Sequence, residues 1–263
     1  MDFFKDKEYL KYFNQELIAK TGTEVLHNTI LENKKNVFER LFLIKKKLLR
    51  EDKGNKVLEN SINYFLENLH THNIKEQSKT KKNEIHSILT NKSKSASKIL
   101  SKKIKTDSKI FVHSLNDHLL TSLNYSAKYN NFLINYIENN TNLKKDEIKN
   151  RLNNKNIISQ KIDSKDTEEK LKNTDFCLLA AKRITKSKGV ILKKGSKELI
   201  EKAQKHNIPV YVCAHSWNYS KKHNPNELMS ETEKKHFEYI DKKKITAYII
   251  EEGIYHPKKL RIN

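Results

Sequence analysis

The sequence predicts an α/β protein in which a helical N-terminal domain, residues 1–106, precedes a doubly wound, mostly parallel Rossmann-like sheet, residues 107–263. Apolar residues recur at helical spacing through the first part of the chain, which is typical of packed amphipathic helices. After Thr106 short β-branched runs alternate with polar helical stretches, which indicates parallel strands joined by crossover helices. All three prolines and three of the five glycines lie beyond residue 188, where turns of such a sheet would place them.

The N-terminal part accommodates four helices, at about residues 4–20, 24–50, 55–72 and 80–104. The apolar residues from Val37 to Leu48 show the helical spacing clearly. Gly22 and the Asp52-Lys53-Gly54 segment are expected to separate helices, because glycine favours turns over helix interiors. No functional site is predicted in this half.

The second part contains six apolar, β-branched runs that predict strands. Amphipathic segments between them are long enough for right-handed crossovers. The predicted strands are 109–114, 132–138, 157–163, 176–181, 209–215 and 245–250, and the predicted helices are 117–128, 143–152, 166–171, 197–206 and 227–240.

A candidate anion site follows the fourth strand, in the stretch from Asp175 to Ser196. Lys182, Lys193 and Ser196 supply donors, and Gly195 permits the turn before a helix N-terminus, which is the chemistry that a phosphate needs. In doubly wound sheets the ligand lies beyond the carboxyl ends of the strands, where chain order reverses. One crevice is therefore expected to gather the strand-end residues Ser114, Glu138, Asp163, Lys182, Arg183, His215, Glu251 and Glu252.

Several classes of site are disfavoured by composition and motif. No GxGxxG or Walker loop follows a strand, so a dinucleotide cofactor or P-loop nucleotide is not expected. Cys177 and Cys213 sit in strand-like runs without ligand spacing, which favours core thiols over a disulfide or metal. With 32% charged residues, a mean hydropathy of −0.83 and no long apolar run or signal-like N-terminus, the chain is expected to be a cytoplasmic protein without a membrane segment.

The formal net charge of +21 raises the question of nucleic-acid binding. Its lysines are spread along the chain, often at helical positions that a solvated face would occupy, so this reading is possible but not favoured. The best candidate for a true basic patch, separated by serines, comprises Lys92, Lys94, Lys98, Lys102, Lys103 and Lys105.

Five segments in order carry a resemblance to a known family. They are Ile110-Phe-Val-His-Ser114, Asp175 to Ile184, Leu192-Lys-Lys-Gly-Ser196, Pro209 to Ser220 and Ala247 to Pro257. Together they resemble the family that contains the alpha, beta and delta subunits of translation initiation factor 2B, methylthioribose-1-phosphate isomerase and ribose-1,5-bisphosphate isomerase. The resemblance implies the same two-part fold, self-association as a homodimer or higher oligomer, and contact with translation initiation factor 2 or related subunits.

The chain departs from the isomerases of that family at the residues that move protons. Their cysteine and aspartate correspond to Ser114 and Lys182, which removes the thiol and reverses the charge of the carboxylate. The segment after the second strand is reduced to Glu138-Asn-Asn-Thr141, without the family's arginine, and Asn218 replaces a lysine. Losing each general acid or base costs about 10²- to 10⁴-fold in rate, so no catalytic residue is expected.

The resemblance therefore implies a regulatory protein whose degenerate cleft keeps part of an anion-binding frame. The ligand-binding residues expected for a nucleoside or sugar phosphate are His113, Ser114, Glu138, Lys182, Lys193, Gly195 and Ser196. A cleft that binds nothing is the plainer interpretation, and His113 is more easily explained as a structural histidine than as a catalyst. The enzyme alternative is an aldose-ketose isomerase in which Lys182 is the base and Ser114 or His113 the acid.

Overall fold

The computed structural model describes residues 14–32, 35–52, 54–137, 150, 152, 154–221, 229 and 231–261. It divides into two compact units, one up to Asn91 and one from Lys92 onward. The division falls inside the last helix of the N-terminal region, so the final turns of that helix belong to the α/β unit. The domain boundary expected near residue 106 stays a prediction.

The first unit is helical. Helices α1 (Gln15–Glu32), α2 (Val37–Glu51) and α3 (Lys56–Leu66) precede α4 (Ile74–Lys103), which continues into the second unit. The prediction that 24–50 forms one helix is wrong, because α1 ends at Glu32 and α2 begins at Val37.

Gly22 does not separate helices, contrary to prediction. It lies buried within α1, where a Cβ atom would come within 2.6 Å of Leu58 Cδ1, so the glycine permits close packing of α1 on α3. The turn before α3 is present as predicted: Gly54 has φ 95°, and the Asn55 side chain accepts a hydrogen bond from the Leu58 amide at 3.0 Å.

The second unit is built on a seven-stranded sheet. Its strands are β1 (Ser108–His113), β2 (Phe132–Tyr136), β3 (Ile157–Lys161), β4 (Phe176–Ala180), β7 (Val210–Cys213), β9 (Ala247–Ile250) and β10 (Gly253–Tyr255). Their order across the sheet is β10-β9-β7-β4-β1-β2-β3. All six predicted strands are confirmed and run parallel, and the unpredicted β10 closes one edge antiparallel to β9.

Helices α5 (Asp117–Ser126), α6 (Thr167–Leu171) and α7 (Ser196–Lys205) connect the parallel strands. The core beneath them includes Phe111, Leu179, Val212 and Tyr248, and both Cys177 and Cys213 are buried free thiols as predicted. Burial raises the pKa of Cys177 to about 12. The predicted helix 143–152 falls mostly outside the described residues.

A second, three-stranded antiparallel sheet, absent from the prediction, comprises β5 (Arg183–Ile184), β6 (Val190–Lys193) and β8 (Phe237–Ile240). The predicted helix 227–240 is wrong at its end, since helix α8 covers only Glu231–His236 and the chain then becomes β8. Pairing with β6 buries Phe237 and Ile240, and this tertiary contact overrides the helical pattern.

The part of α4 within the second unit contacts α5 and the sheet through polar groups. Ser93 Oγ lies 2.9 Å from His118 Nδ1, and Ser97 Oγ lies 2.8 Å from Ser122 Oγ, all buried. Ser93 and Ser97, two of the serines that separate the lysines in the sequence, therefore face inward.

Two lysines of the predicted basic patch are engaged within the protein. Lys92 Nζ is 2.5 Å from a carboxylate oxygen of Glu251, and Lys103 Nζ lies 4.6 Å from the centroid of the Tyr211 ring. No helix among the described residues has the length and apolar character to cross a bilayer. Nor does that part of the chain contain a cluster of side chains suited to a metal ion.

Candidate functional site at the carboxyl ends of strands β1 and β4

The candidate site lies where the order of strands reverses. Strands β1 and β4 are neighbours in the sheet, although β2 and β3 lie between them in the chain. Ligands of doubly wound sheets bind outside the carboxyl ends of strands at such a point. The residues that follow β1 and β4 here are Ser114 and Ala181 to Lys182, and the N-terminus of α7 is brought beside Ser114.

Three predicted site residues form one hydrogen-bonded cluster. His113 Nδ1 is 3.0 Å from both Ser114 Oγ and Ser196 Oγ, and the two hydroxyl oxygens are 3.2 Å apart. Ser196 donates to the Lys193 carbonyl oxygen at 2.6 Å, so its oxygen is left to accept. The His113 tautomer that satisfies this arrangement carries its proton on Nδ1, so Nε2 is unprotonated.

The backbone at the cluster adopts two left-handed conformations. Ser114 has φ 59°, which is unfavourable for a residue with a Cβ atom, whereas Gly195 has φ 92° at the start of α7. A Cβ atom on Gly195 would lie 3.4 Å from His113 Nε2. Any other residue at position 195 would thus carry backbone strain at this φ, while its Cβ atom would make an ordinary van der Waals contact with the imidazole.

Electrostatics keep the His113 ring neutral. Burial, with a smaller contribution from the charge of Lys193, lowers the pKa of His113 to about 4. Burial also lowers the pKa of Lys193, to about 8. The site thus holds an uncharged imidazole beside an ammonium group that titrates close to neutral pH.

Stability should fall with acidification because of His113. Its pKa is depressed on folding, so the unfolded chain binds the proton more tightly between pH 6.5 and 4 and stability is lost as the pH falls through that window. Between pH 7.5 and 5.5 we expect the His113→Asn variant to lose roughly 1 kcal/mol less of unfolding free energy than wild type. Urea titrations at the two pH values check this, and equal losses in both proteins would contradict it.

A cleft of about 580 Å³ opens beside the cluster. Its lining includes His113 and Gly195, together with Lys194 and Lys197, which the sequence interpretation passed over. Acidic groups also reach it, and Glu238 Oε1 accepts a hydrogen bond from the Lys197 amide at 2.7 Å. One N-terminal amide of α7, a preferred position for an anion, is therefore bonded to a carboxylate of the protein itself.

Lys182 lies against an acidic residue of helix α8. Its Nζ lies 3.1 Å from Glu233 Oε1 and 4.2 Å from the centroid of the Phe237 ring, and its side chain is only 3% exposed. Arg183 Nη2 lies 3.4 Å from the same Glu233 oxygen. Two buried cations thus share one buried carboxylate, which the sequence does not reveal because Glu233 is one of several acidic residues in the predicted helix 227–240.

Among the other predicted strand-end residues, Glu138 lies outside the described residues and Asp163 is exposed. Asn218 accepts a hydrogen bond from the His215 amide at 3.0 Å and donates to the Lys182 carbonyl at 3.3 Å, so it links the loops after β7 and β4.

Glu251 belongs to a second polar group at this edge of the sheet. Burial acts to raise its pKa, but hydrogen bonds from Lys92 and Ser216 outweigh burial and hold the pKa below its usual value. Ser216 Oγ donates to Glu251 at 2.6 Å. Of the predicted residues, His113, Ser114, Gly195 and Ser196 thus come together, with Lys193 near enough to act on His113 through its charge.

Comparison with known proteins agrees with this architecture. The chain is similar in structure to a translation initiation factor eIF-2B from Pyrococcus horikoshii OT3, with 16% sequence identity, 94% of this chain and 92% of that chain covered, and a TM-score of 0.82. It is also similar to the tetrameric eIF2B-beta2-delta2 complex from C. thermophilum, with 12% identity, coverage of 92% and 86%, and a TM-score of 0.77.

A third similar structure is the delta subunit of translation initiation factor eIF-2B from A. fulgidus, with 14% identity, coverage of 92% and 83%, and a TM-score of 0.70. Among curated proteins, none matches the chain in sequence. A model of the Initiation factor 2 subunit family matches residues 13–257, nearly the whole chain. The resemblance drawn from the five motifs is thereby confirmed, and the chain belongs to the Initiation factor 2 subunit family.

Proposed function

We propose that this protein is a non-catalytic, initiation factor 2B-like regulatory protein. The proposal rests on the side chains at Ser114 and Lys182, the two positions that match the isomerase pair. The Ser114 hydroxyl lies within the His113 and Ser196 cluster, and the Lys182 ammonium lies against Glu233. Neither position offers a thiol or a carboxylate to move a proton between sugar carbons.

The partners in this proposal are translation initiation factor 2 and subunits of the same family, with self-association as a homodimer or higher oligomer. The family membership and the tetrameric beta2-delta2 assembly among similar structures support it. Pull-down of purified initiation factor 2 by the full-length protein, at low and moderate salt, is the test. Retention at both salt concentrations is expected, and failure at both would refute the contact.

Absence of turnover is the second requirement of the proposal. Ribose 1,5-bisphosphate and methylthioribose 1-phosphate should remain unconverted over hours at micromolar protein, because each missing proton-transfer group costs about 10²- to 10⁴-fold. Conversion that persists through purification and disappears in a Lys182→Ala or a Lys193→Ala variant would refute it.

The cleft is proposed to bind a sugar or nucleoside phosphate as a regulatory ligand. Lys194, Lys197 and the N-terminus of α7 border it, and Lys193 adds positive charge nearby. A phosphate at 100 times its dissociation constant should raise the free energy of unfolding by about 2.7 kcal/mol. Thermal shifts with AMP, GMP and ribose phosphates measure this.

Variants locate the phosphate. Lys193→Ala should abolish the thermal shift, whereas Lys186→Ala, an exposed lysine of the loop before β6, should leave it unchanged. Glu238→Gln should strengthen binding, because it removes the negative charge at the Lys197 amide. Since the pKa of Lys193 is about 8, affinity should fall as the pH rises from 7 to 9. If none of these phosphates produces a thermal shift in the wild type or in any variant, the ligand proposal fails and the other proposals are unaffected.

A phosphosugar isomerase is the second candidate, and one observation favours it. A lysine base needs a pKa near the working pH, and the pKa of Lys193 is lowered to about 8 beside the neutral imidazole of His113. In this alternative Lys193, rather than Lys182, is the base. Turnover lost in Lys193→Ala but kept in Lys182→Met would establish it.

A further inference from the structure

Helices α4 and α5 present a surface that carries both lysines and tyrosines. We call it the Lys-Tyr surface and define it by Lys94, Lys98, Lys102, Tyr125 and Tyr129. The three lysines are exposed and follow one another at intervals of four residues on one side of α4. That interval advances about 6 Å along the helix axis, so the ammonium groups form a row.

The lysines of this row differ from the others in the basic patch. Lys92 and Lys103 are held by Glu251 and by aromatic rings, as described above. For Lys94, Lys98 and Lys102, no ion pair is found within the described part of the chain. Their charge is directed to solvent and is available to a partner.

The aromatic pair is the observation that the sequence did not reveal. Tyr125 and Tyr129 lie one turn apart on and just beyond α5, with ring centroids 5.5 Å apart and hydroxyl oxygens 3.3 Å apart. Tyr129 is 65% exposed, although a ring of this size is costly to leave in water. Lys128 Nζ lies 5.5 Å from the Tyr125 ring and adds another cation.

A groove of about 530 Å³ joins the two sets of side chains. It is lined by Lys98, Lys102, Tyr125 and Tyr129, with the hydroxyl groups of Ser95 and Ser101. Glu251 also lines it, but its carboxylate is paired with Lys92, so the groove keeps an excess of positive charge. The volume falls in the range of sites that accept small ligands or single residues of a polymer.

We propose that the Lys-Tyr surface binds single-stranded RNA. Exposed aromatic faces beside a basic groove are the combination that takes up unstacked bases and their phosphates. A duplex hides its bases and would use only the lysines. The Ser95 and Ser101 hydroxyls can hydrogen-bond a ribose 2′-hydroxyl, which favours RNA over DNA.

Fluorescence anisotropy with a labelled oligouridine of about 20 nucleotides, over about 50 to 200 mM salt, tests the proposal on the full-length chain. Lys94→Gln, Lys98→Gln and Lys102→Gln combined should reduce the slope of log affinity against log salt by about two, since each phosphate contact contributes roughly 0.7. The matched control carries Lys165→Gln, Lys172→Gln and Lys259→Gln, three exposed lysines of other elements, and should keep the wild-type slope.

Variants of Tyr129 distinguish the contribution of base stacking to RNA affinity from the contribution of charge. Tyr129→Ala should weaken oligouridine binding about tenfold, whereas Tyr129→Phe, which keeps the ring, should bind like wild type. Equal losses in the two lysine variants, no loss in Tyr129→Ala, or equal affinity for duplex RNA, single-stranded DNA or polyglutamate would overturn the proposal. None of these outcomes bears on the isomerase or pull-down tests, so the two proposals fail separately.

Discussion

Replacing Glu233 by glutamine should lower the free energy of unfolding by about 3 to 5 kcal/mol. The Glu233 carboxylate is 5% exposed and lies within 3.1 Å of Lys182 Nζ and 3.4 Å of Arg183 Nη2. An amide keeps the shape and one acceptor oxygen but removes the negative charge that two buried cations share. Desolvated charges deprived of a counter-charge are among the most destabilising groups in proteins.

Glu231 offers a matched control two residues earlier in α8. It pairs with Lys234 at 2.6 Å on the surface, and its side chain is 87% exposed. Glu231→Gln removes the same charge from the same helix and should change stability by less than about 0.5 kcal/mol. Urea denaturation at neutral pH measures both variants. If the free energy of unfolding of Glu233→Gln lies within about 1 kcal/mol of the wild-type value, the ion cluster does not stabilise the fold as we expect.

An aspartate at position 182 should also destabilise the fold, by about 3 to 5 kcal/mol. Lys182→Asp sets a second carboxylate near Glu233 and leaves Arg183 facing two negative groups in a buried site. It also removes the ammonium from the Phe237 ring. Lys182→Met, which keeps volume and leaves Glu233 with Arg183, should cost only about 1 kcal/mol.

A charge exchange tests the mechanism of that loss. Lys182→Asp combined with Glu233→Lys restores one pair of opposite charges, and the double variant should be more stable than the sum of the single losses predicts. The coupling in such a cycle should be about 1 to 3 kcal/mol. Additive losses would mean that packing, rather than charge, makes Lys182→Asp destabilising.

The fold of the α/β unit could be predicted because its central parallel strands are largely buried on both faces and contain continuous apolar runs. β4, Phe176–Ala180, is buried along its whole length and was identified from its sequence alone. The short strands β5, β6 and β8 could not be identified in the same way. Each is two to four residues long, and β6 pairs with β8, in which the partner of Val190 is Ile240, 50 residues further along the chain.

Part of the candidate site could be predicted in the same way, and part could not. His113, Ser114, Gly195 and Ser196 were predicted together because strand ends and a helix N-terminus meet at a fixed place in this fold. Lys182 is predicted beside them because the pattern of residues 175–196 indicates a strand, a turn and a helix start. The intervening hairpin of β5 and β6 pairs the Lys182 amide with the Ile191 carbonyl at 3.0 Å, and the Lys182 side chain then meets Glu233. Nothing in the local sequence of Glu233 distinguishes it from the acidic residues around it.

The buried serines of helix α4 fix its register. Ser93 and Ser97 each meet a single polar atom on α5, and such small hydroxyls tolerate little displacement before a buried donor or acceptor loses its partner. A helix held by leucines alone could slide by part of a turn at small cost. Here the buried hydroxyls of Ser93 and Ser97 fix the position of α4 along α5. They therefore also set the distance between the exposed lysines of α4 and the tyrosines Tyr125 and Tyr129.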